Sequence, residues 1–242
     1  LVPAVIAAVR RTGDAEAHRG PDAEGFWTSG NEAGPGVALA HRRLSILDLS
    51  ADGTQPMHEP KSGVVIVYNG EVYNFAELRS ELEASGASFR SKTDTEVLLH
   101  AYVRWGPEFV SRLRGMFGFA LFDPRRRRLL IARDRVGIKP VYVARLRRPA
   151  GDVVLFTSEL RAMLATGLVE RRIDPIGLQT QLWHGFPVGP GTLVRGVRRL
   201  EAGTSLTIDL DDDLRETSHR YWTLPPAASA PGHDVSALRE EL

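Results

Sequence analysis

Asn69 and Gly70, inside the run Tyr68-Asn69-Gly70-Glu71-Val72-Tyr73-Asn74, are the residues best suited to stabilise developing charge. An Asn-Gly pair after an apolar strand is by default a tight hairpin turn. That default fails here, because the residues after Asn74 carry a helical period and offer no return strand. The pair is therefore expected to end a buried strand and enter a turn before a helix. There a glycine N–H and an asparagine amide can point at one ligand atom, as an oxyanion site requires. Arg43 lies in Leu39-Ala40-His41-Arg42-Arg43-Leu44-Ser45-Ile46-Leu47-Asp48. Its planar fork would fit a carboxylate, although residue type alone reads it as a surface arginine on a strand edge. Asp94 opens a capped helix, where a carboxylate usually complements the helix dipole; accepting from a substrate ammonium is the sharper reading.

The elements that must position these residues follow from periodicity. Val64 to Tyr68 is a continuous β-branched and aromatic run and reads as a buried strand. Phe75 to Ser85, with Phe75, Leu78 and Leu82 in phase and Gly86 beyond, reads as an amphipathic helix. Thr93 and Glu96 have capping-box spacing ahead of Val97, Leu98 and Tyr102, and Gly106 is the stop. Met116 to Phe122 and Leu129 to Ala132 read as paired strands around Arg125 to Arg128, taken as a solvated turn. Further strands are expected near Val141 to Val143, at Val153 to Phe156 and at Thr204 to Leu210. Ser158 is expected to cap a helix through Leu164, and Asp174-Pro175 to start one reaching Trp183. Before His18 only a helix is expected, over Val5 to Arg11, with Gly13 and Asp14 weakening its second half.

Several segments occur in an order that carries a resemblance. They are His18-Arg19-Gly20-Pro21-Asp22, Ala40 to Asp48, Tyr68 to Asn74 and Thr93-Asp94-Thr95-Glu96. Gly115 to Ala120, Ala132 to Pro140, Ser158-Glu159 and Tyr221-Trp222 complete the series. Together they resemble the N-terminal glutaminase domain of glutamine-hydrolysing asparagine synthetases, a class-II amidotransferase domain of the N-terminal-nucleophile (Ntn) hydrolase type. The resemblance implies an α+β fold, a four-layer αββα sandwich of two antiparallel sheets. It implies that Arg43 binds the α-carboxylate of glutamine, with Leu44, Ser45, Ile46 and Leu47 lining the pocket. Asp94 and Glu71 would hold the α-amino group, and Asn69 and Gly70 the oxyanion. The reaction implied is attack by an N-terminal cysteine thiolate, giving a thioester and free ammonia.

The chain departs from that family at one decisive point: its 242 residues include no cysteine. Nor is there room before His18 for the strand that bears the family's nucleophile, so the first strand is expected to be missing. One explanation is a chain that begins after the nucleophile, within an asparagine-synthase-type ligase. Another is a cysteine-free, β-lactam-synthetase-like relative; a glutamine-binding module without hydrolysis is a third. On the first, the isolated chain is inactive. Residues 1–224 would form the glutaminase domain, 225–232 (Pro225 to Gly232) a linker, and 233–242 the start of an absent synthetase domain.

Composition narrows the partners. The formal net charge is +1, from 31 basic and 30 acidic residues, which gives no field for nucleic acid. No run approaches the roughly 18 apolar residues of a membrane span, and Leu1 to Val9 lacks the flanks of a signal peptide, so a cytoplasmic protein is expected. The histidines include no i, i+4 pair, and no metal site is expected. No Ser-Gly-Gly-x-Asp-Ser loop or Walker-type loop is present, so no cofactor is expected in this chain. ATP and magnesium belong, by the resemblance, to the absent synthetase domain. Glutamine, that domain and a second copy in a homodimer are the partners considered.

Overall fold

The computed structural model describes residues 3–30, 35–44 and 51–226. Six strands form one antiparallel sheet: β3 (Met57–His58), β4 (Val65–Val72), β5 (Gly115–Asp123), β6 (Arg128–Arg133), β10 (Thr204–Asp209) and β11 (Arg215–Arg220). Their order is β11-β10-β6-β5-β4-β3. The apolar runs of the sequence are its centre, and each face of those strands has a separate destination.

On one face, Ile66, Tyr68, Val72, Phe117, Phe119 and Leu121 pack against α2 (Phe75–Ala84) and α3 (Asp94–Trp105) through Leu78, Leu82, Val97 and Leu98. On the other, Val65, Val67, Ala120, Ile131, Leu206 and Ile208 meet Leu39 of β2 (Ala38–Arg43) and Val143 of β7 (Tyr142–Leu146). The alternation along each strand thus builds two cores. The second layer consists of two separate sheets. One pairs β1 (Ala23–Thr28) with β2; the other has the order β8-β7-β9, with β8 at Val153–Thr157 and β9 at Arg198–Arg199. Outside them lie α1 (Pro3–Ala15) and α4 (Leu160–Ala165), the latter packing Met163 on Ala144 and Leu155. The layers therefore run helix, sheet, split sheet, helix. α5 (Pro175–His184) starts as expected, with the Asp174 side chain accepting the Gly177 amide and Pro175 in the first turn.

Four expectations need correction. β4 does not stop at Asn69-Gly70 but continues to Val72, because Gly70 pairs with Phe117 and lets β5 come close. A Cβ on Gly70 would stand 2.2 Å from the Met116 carbonyl oxygen. Helix α1 runs past Gly13 to Ala15, held by Arg42, whose Nε donates to the Gly13 carbonyl at 3.0 Å. Ser158 caps no helix: its hydroxyl donates to Glu16 Oε1 at 2.9 Å, and Glu159 occupies the N-cap position of α4. The capping box is half made. Thr93 accepts the Glu96 amide, while the Glu96 carboxylate turns to the amides of Arg90 and Ser91.

The arginine turn is a hairpin tip, closed by the Asp123 carboxylate, which accepts the Arg125 amide at 2.9 Å. Its side chains are engaged as well as solvated. Arg127 pairs with Asp211 at 2.6 Å and Arg128 with Asp209 at 3.0 Å, tying the tip to the neighbouring strand end. The exposed β11 escaped the sequence reading because its polar run, Arg-Glu-Thr-Ser-His-Arg, has no apolar alternation; pairing with β10 forms it.

Candidate active site

The site lies where β2 crosses the open end of β4. Along β2, Leu39, His41 and Arg43 share the face toward the six-stranded sheet, and Ala40 and Arg42 the other. Arg42 is used structurally, bonding Asp14 at 2.9 Å and Glu24 at 2.7 Å. Arg43 is half-buried, and its guanidinium lies over Gly53, where a Cβ would come within 2.2 Å of Nη2. A backbone without a side chain is what allows that planar group to settle there.

β3 pairs with β4 only at Val65 and Ile66. Beyond them the outer edge of β4 has no strand partner among the described residues, and side chains take over. The Gln55 Oε1 accepts the Tyr68 amide at 2.6 Å, His41 Nε2 bonds the Tyr68 carbonyl at 3.0 Å, and Asp94 Oδ2 accepts the Val72 amide at 3.0 Å. The Tyr68 hydroxyl donates to the same Asp94 oxygen at 2.5 Å. Burial raises the Asp94 pKa against the effect of these donors, and it also raises that of Tyr68, with the Asp94 charge adding to it. His41 moves the other way: burial pushes its imidazole down to about 4, so it is neutral at pH 7.

A cavity of about 420 Å³ opens beside this edge. Arg43, Leu44, Asn69, Gly70, Glu71 and Asp94 all line it. These are six of the residues singled out in the sequence; Ser45, Ile46 and Leu47 lie outside the described residues. Asn69 shares its face of β4 with Val67, toward the gap between the sheets, while Glu71 is exposed. His41, Gln55, Gly53, Glu16 and Ser158 also line the cavity, and sequence reasoning gave none of them a place in the site. Only the position of His41 beside Arg43 could have hinted at it; the others are joined through long-range folding.

A second cleft, of about 940 Å³, adjoins the first. Its walls are the free edges of β2 (Ala38, Ala40) and β8 (Val153 to Thr157); α1 contributes Val5 and Val9, and the six-stranded sheet Leu129, Ile208 and Leu210. Among the described residues β2 pairs only with β1 inside its sheet, and β8 only with β7. Thr12, Ala40, Phe156 and Thr157 border both cavities, so the cleft leads into the site.

With this geometry in hand, comparison with known proteins is decisive. The family described as glutamine amidotransferase domain matches residues 4–222, nearly the whole chain. The chain belongs to this glutamine amidotransferase family. Among curated relatives, asparagine synthetase [glutamine-hydrolyzing] 3 of Bacillus subtilis is 36% identical over 217 residues, covering 88% of this chain and 33% of its own length. A putative asparagine synthetase [glutamine-hydrolyzing] of Mycobacterium tuberculosis is 40% identical over 242 residues, covering 96% and 36%. The amidotransferase domain thus spans about a third of the length of these relatives. In fold it is similar to glutamine phosphoribosylpyrophosphate amidotransferase from B. subtilis, with a TM-score of 0.63 at 19% identity, covering 90% of this chain and 47% of that one. Among the described residues of the domain, no helix is long and apolar enough to cross a membrane.

Proposed function

We propose that this domain binds glutamine and supplies ammonia, and that its nucleophile arrives on a strand filling the cleft between β2 and β8. The observation that carries the reading is one cavity bordered by the Arg43 guanidinium, the buried Asp94 carboxylate and the unpaired edge of β4 at Gly70. A zwitterionic amino acid needs a cation and an anion held together, and its side-chain amide needs donors at the far end. Arg43 takes the α-carboxylate, Asp94 with Glu71 the α-ammonium, and Asn69 with Gly70 the amide oxygen. Leu44, which lines the cavity, flanks the ligand.

The cleft accounts for the chemistry that the 242 residues cannot perform. A strand inserted there would pair with both free edges and close the split layer into one sheet, completing an Ntn-type αββα sandwich. Its end would emerge where Ala40, Phe156 and Thr157 border both cavities. A terminal cysteine there would add its sulfur to the amide carbon, with its own α-amine as the base. The C–N bond then breaks, ammonia leaves, and water hydrolyses the thioester to glutamate.

In the whole protein, residues 1–224 form the glutaminase domain, 225–232 the linker and 233–242 the start of a synthetase domain that uses ATP and magnesium to amidate aspartate. The length of the relatives supports this arrangement. A second reading, a domain that binds glutamine without hydrolysing it, draws on the lack of cysteine.

The test is to extend the chain at its N-terminus by an apolar strand led by cysteine, and in parallel by the same strand led by serine. Ammonia released from glutamine by the first protein alone supports the proposal. A folded cysteine-led protein that binds glutamine and releases none supports the second reading.

A further inference from the structure

Among the described residues, side chains instead of a strand finish the outer edge of β4 beyond Ile66, and the way they are shared out leaves one donor over. Backbone N–H groups alternate along a strand, so those of Tyr68, Gly70 and Val72 all point away from β5. Gln55 holds the first and Asp94 the third. Gly70 lies between them, beside the cavity, with no hydrogen bond to its amide among the described residues. The carbonyl of Tyr68, on the same edge, is held by His41. A carbonyl oxygen only accepts, so His41 Nε2 carries the proton, and its other ring nitrogen is left as an acceptor. That Nδ1 is buried and has no partner among the described residues. A buried imidazole with one unpaired nitrogen is a poor choice for packing alone, since an apolar side chain would fill the same space without it.

We propose that His41 and Gln55 are positioning residues that together hold the carbonyl and N–H of Tyr68 on the open edge of β4, fixing Asn69 and the Gly70 N–H for the side-chain oxygen of the bound amide. The proposal rests on the glutamine reading and deepens it. Gln55 is well placed for this task because it is itself fixed: it is buried, and its Nε2 donates to Thr95 Oγ1 at 3.3 Å. Both clamps come from segments remote in sequence from Tyr68, one on β2 and one just before β3. The donor pair is therefore set by the meeting of three chain segments and not by the local turn.

Two measurements test it. In calorimetry on the 242-residue protein, glutamine is compared with norvaline, which keeps both α-groups and the side-chain carbons but has no amide. His41→Leu should weaken glutamine about tenfold and leave norvaline within about twofold, and His41→Gln, which restores a donor of similar reach, should recover glutamine binding. Equal weakening of both ligands by His41→Leu, or of neither, would overturn the proposal. So would a His41→Gln protein that behaves like the leucine variant.

The second measurement is amide hydrogen exchange on the unliganded wild-type protein. The Gly70 amide should exchange faster than those of Tyr68 and Val72 on either side of it. A Gly70 amide as slow as its neighbours would mean the donor is already taken, and would overturn the proposal whatever glutamine does. If neither glutamine nor norvaline binds the wild type, the glutamine reading fails separately, and the exchange pattern still decides the clamp.

Discussion

The Tyr68 hydroxyl and the Val72 amide, four residues apart on β4, meet at a single oxygen of Asp94, at 2.5 and 3.0 Å. This pairs the first residue of α3 with the open edge of the sheet, so the carboxylate is both a structural fastener and a wall of the cavity.

Tyr68→Phe keeps the ring in the core and removes one of these donors. Loss of a hydrogen bond to a buried charge should cost about 1.5–3 kcal/mol, read from the urea midpoint at pH 7. Burial already raises the Asp94 pKa, and the variant raises it further. A raised carboxylate pKa favours the folded state as pH falls through it, because protonation relieves the buried charge. The deficit of the variant should therefore shrink toward acid. A deficit that stays constant with pH would argue that the hydroxyl acts only through packing.

Gly70 and Gly53 should respond differently to alanine, although a Cβ at either would approach another atom to 2.2 Å. At Gly70 that atom is the backbone oxygen of Met116, which cannot move without prising β5 from β4. Gly70→Ala should lower stability by about 1–3 kcal/mol. At Gly53 the atom is the far end of Arg43, which can swing away. Gly53→Ala should cost less than about 1 kcal/mol but weaken glutamine binding about tenfold by moving the guanidinium. Denaturation and calorimetry on the two variants separate the outcomes, and a Gly53→Ala protein with unchanged affinity would remove Arg43 from the site.

His41 gives the fold an acid-sensitive point. Its pKa falls from an ordinary 6.5 to about 4 in the folded protein, chiefly through burial. Between those values the unfolded chain binds the proton and the folded one does not, so lowering pH favours unfolding. The window lies from pH 6.5 down to 4, and the loss across it amounts to roughly 3 kcal/mol. His41→Gln cannot titrate there, and its stability should be flatter over the same window. Urea denaturation of both proteins at pH 7, 5.5 and 4 measures the difference.

The sequence carried the parts of this design that are local. The unbroken run ending in Tyr68 announced the central strand, and Asp174-Pro175 a helix start, because strand burial and helix capping leave signatures within a few residues. Asn69 and Gly70 stood out by type and context, whereas Arg43 and Asp94 were weighted as ligand residues only through the resemblance, since each has an ordinary structural role by type. What could not be read was the company they keep. Gln55 and His41 reach the Tyr68 peptide from 13 and 27 residues away, and Ser158 reaches Glu16 from 142. Such partners are fixed by how the layers stack, and a one-dimensional period carries no trace of them. The same limit explains why Asn69-Gly70 read as the end of a strand: the glycine that usually turns a chain here lets two strands approach.

The most direct test of the whole account is a calorimetric titration of glutamine into the wild-type 242-residue protein, alongside Arg43→Ala and Asp94→Asn. Asparagine keeps a carbonyl to accept from Tyr68 and Val72, so the second variant removes charge with little else. Binding by the wild type that falls at least about tenfold in each variant, with all three proteins folded, is the predicted result. Wild-type protein that binds no glutamine, or folded variants that bind it equally well, would contradict the account.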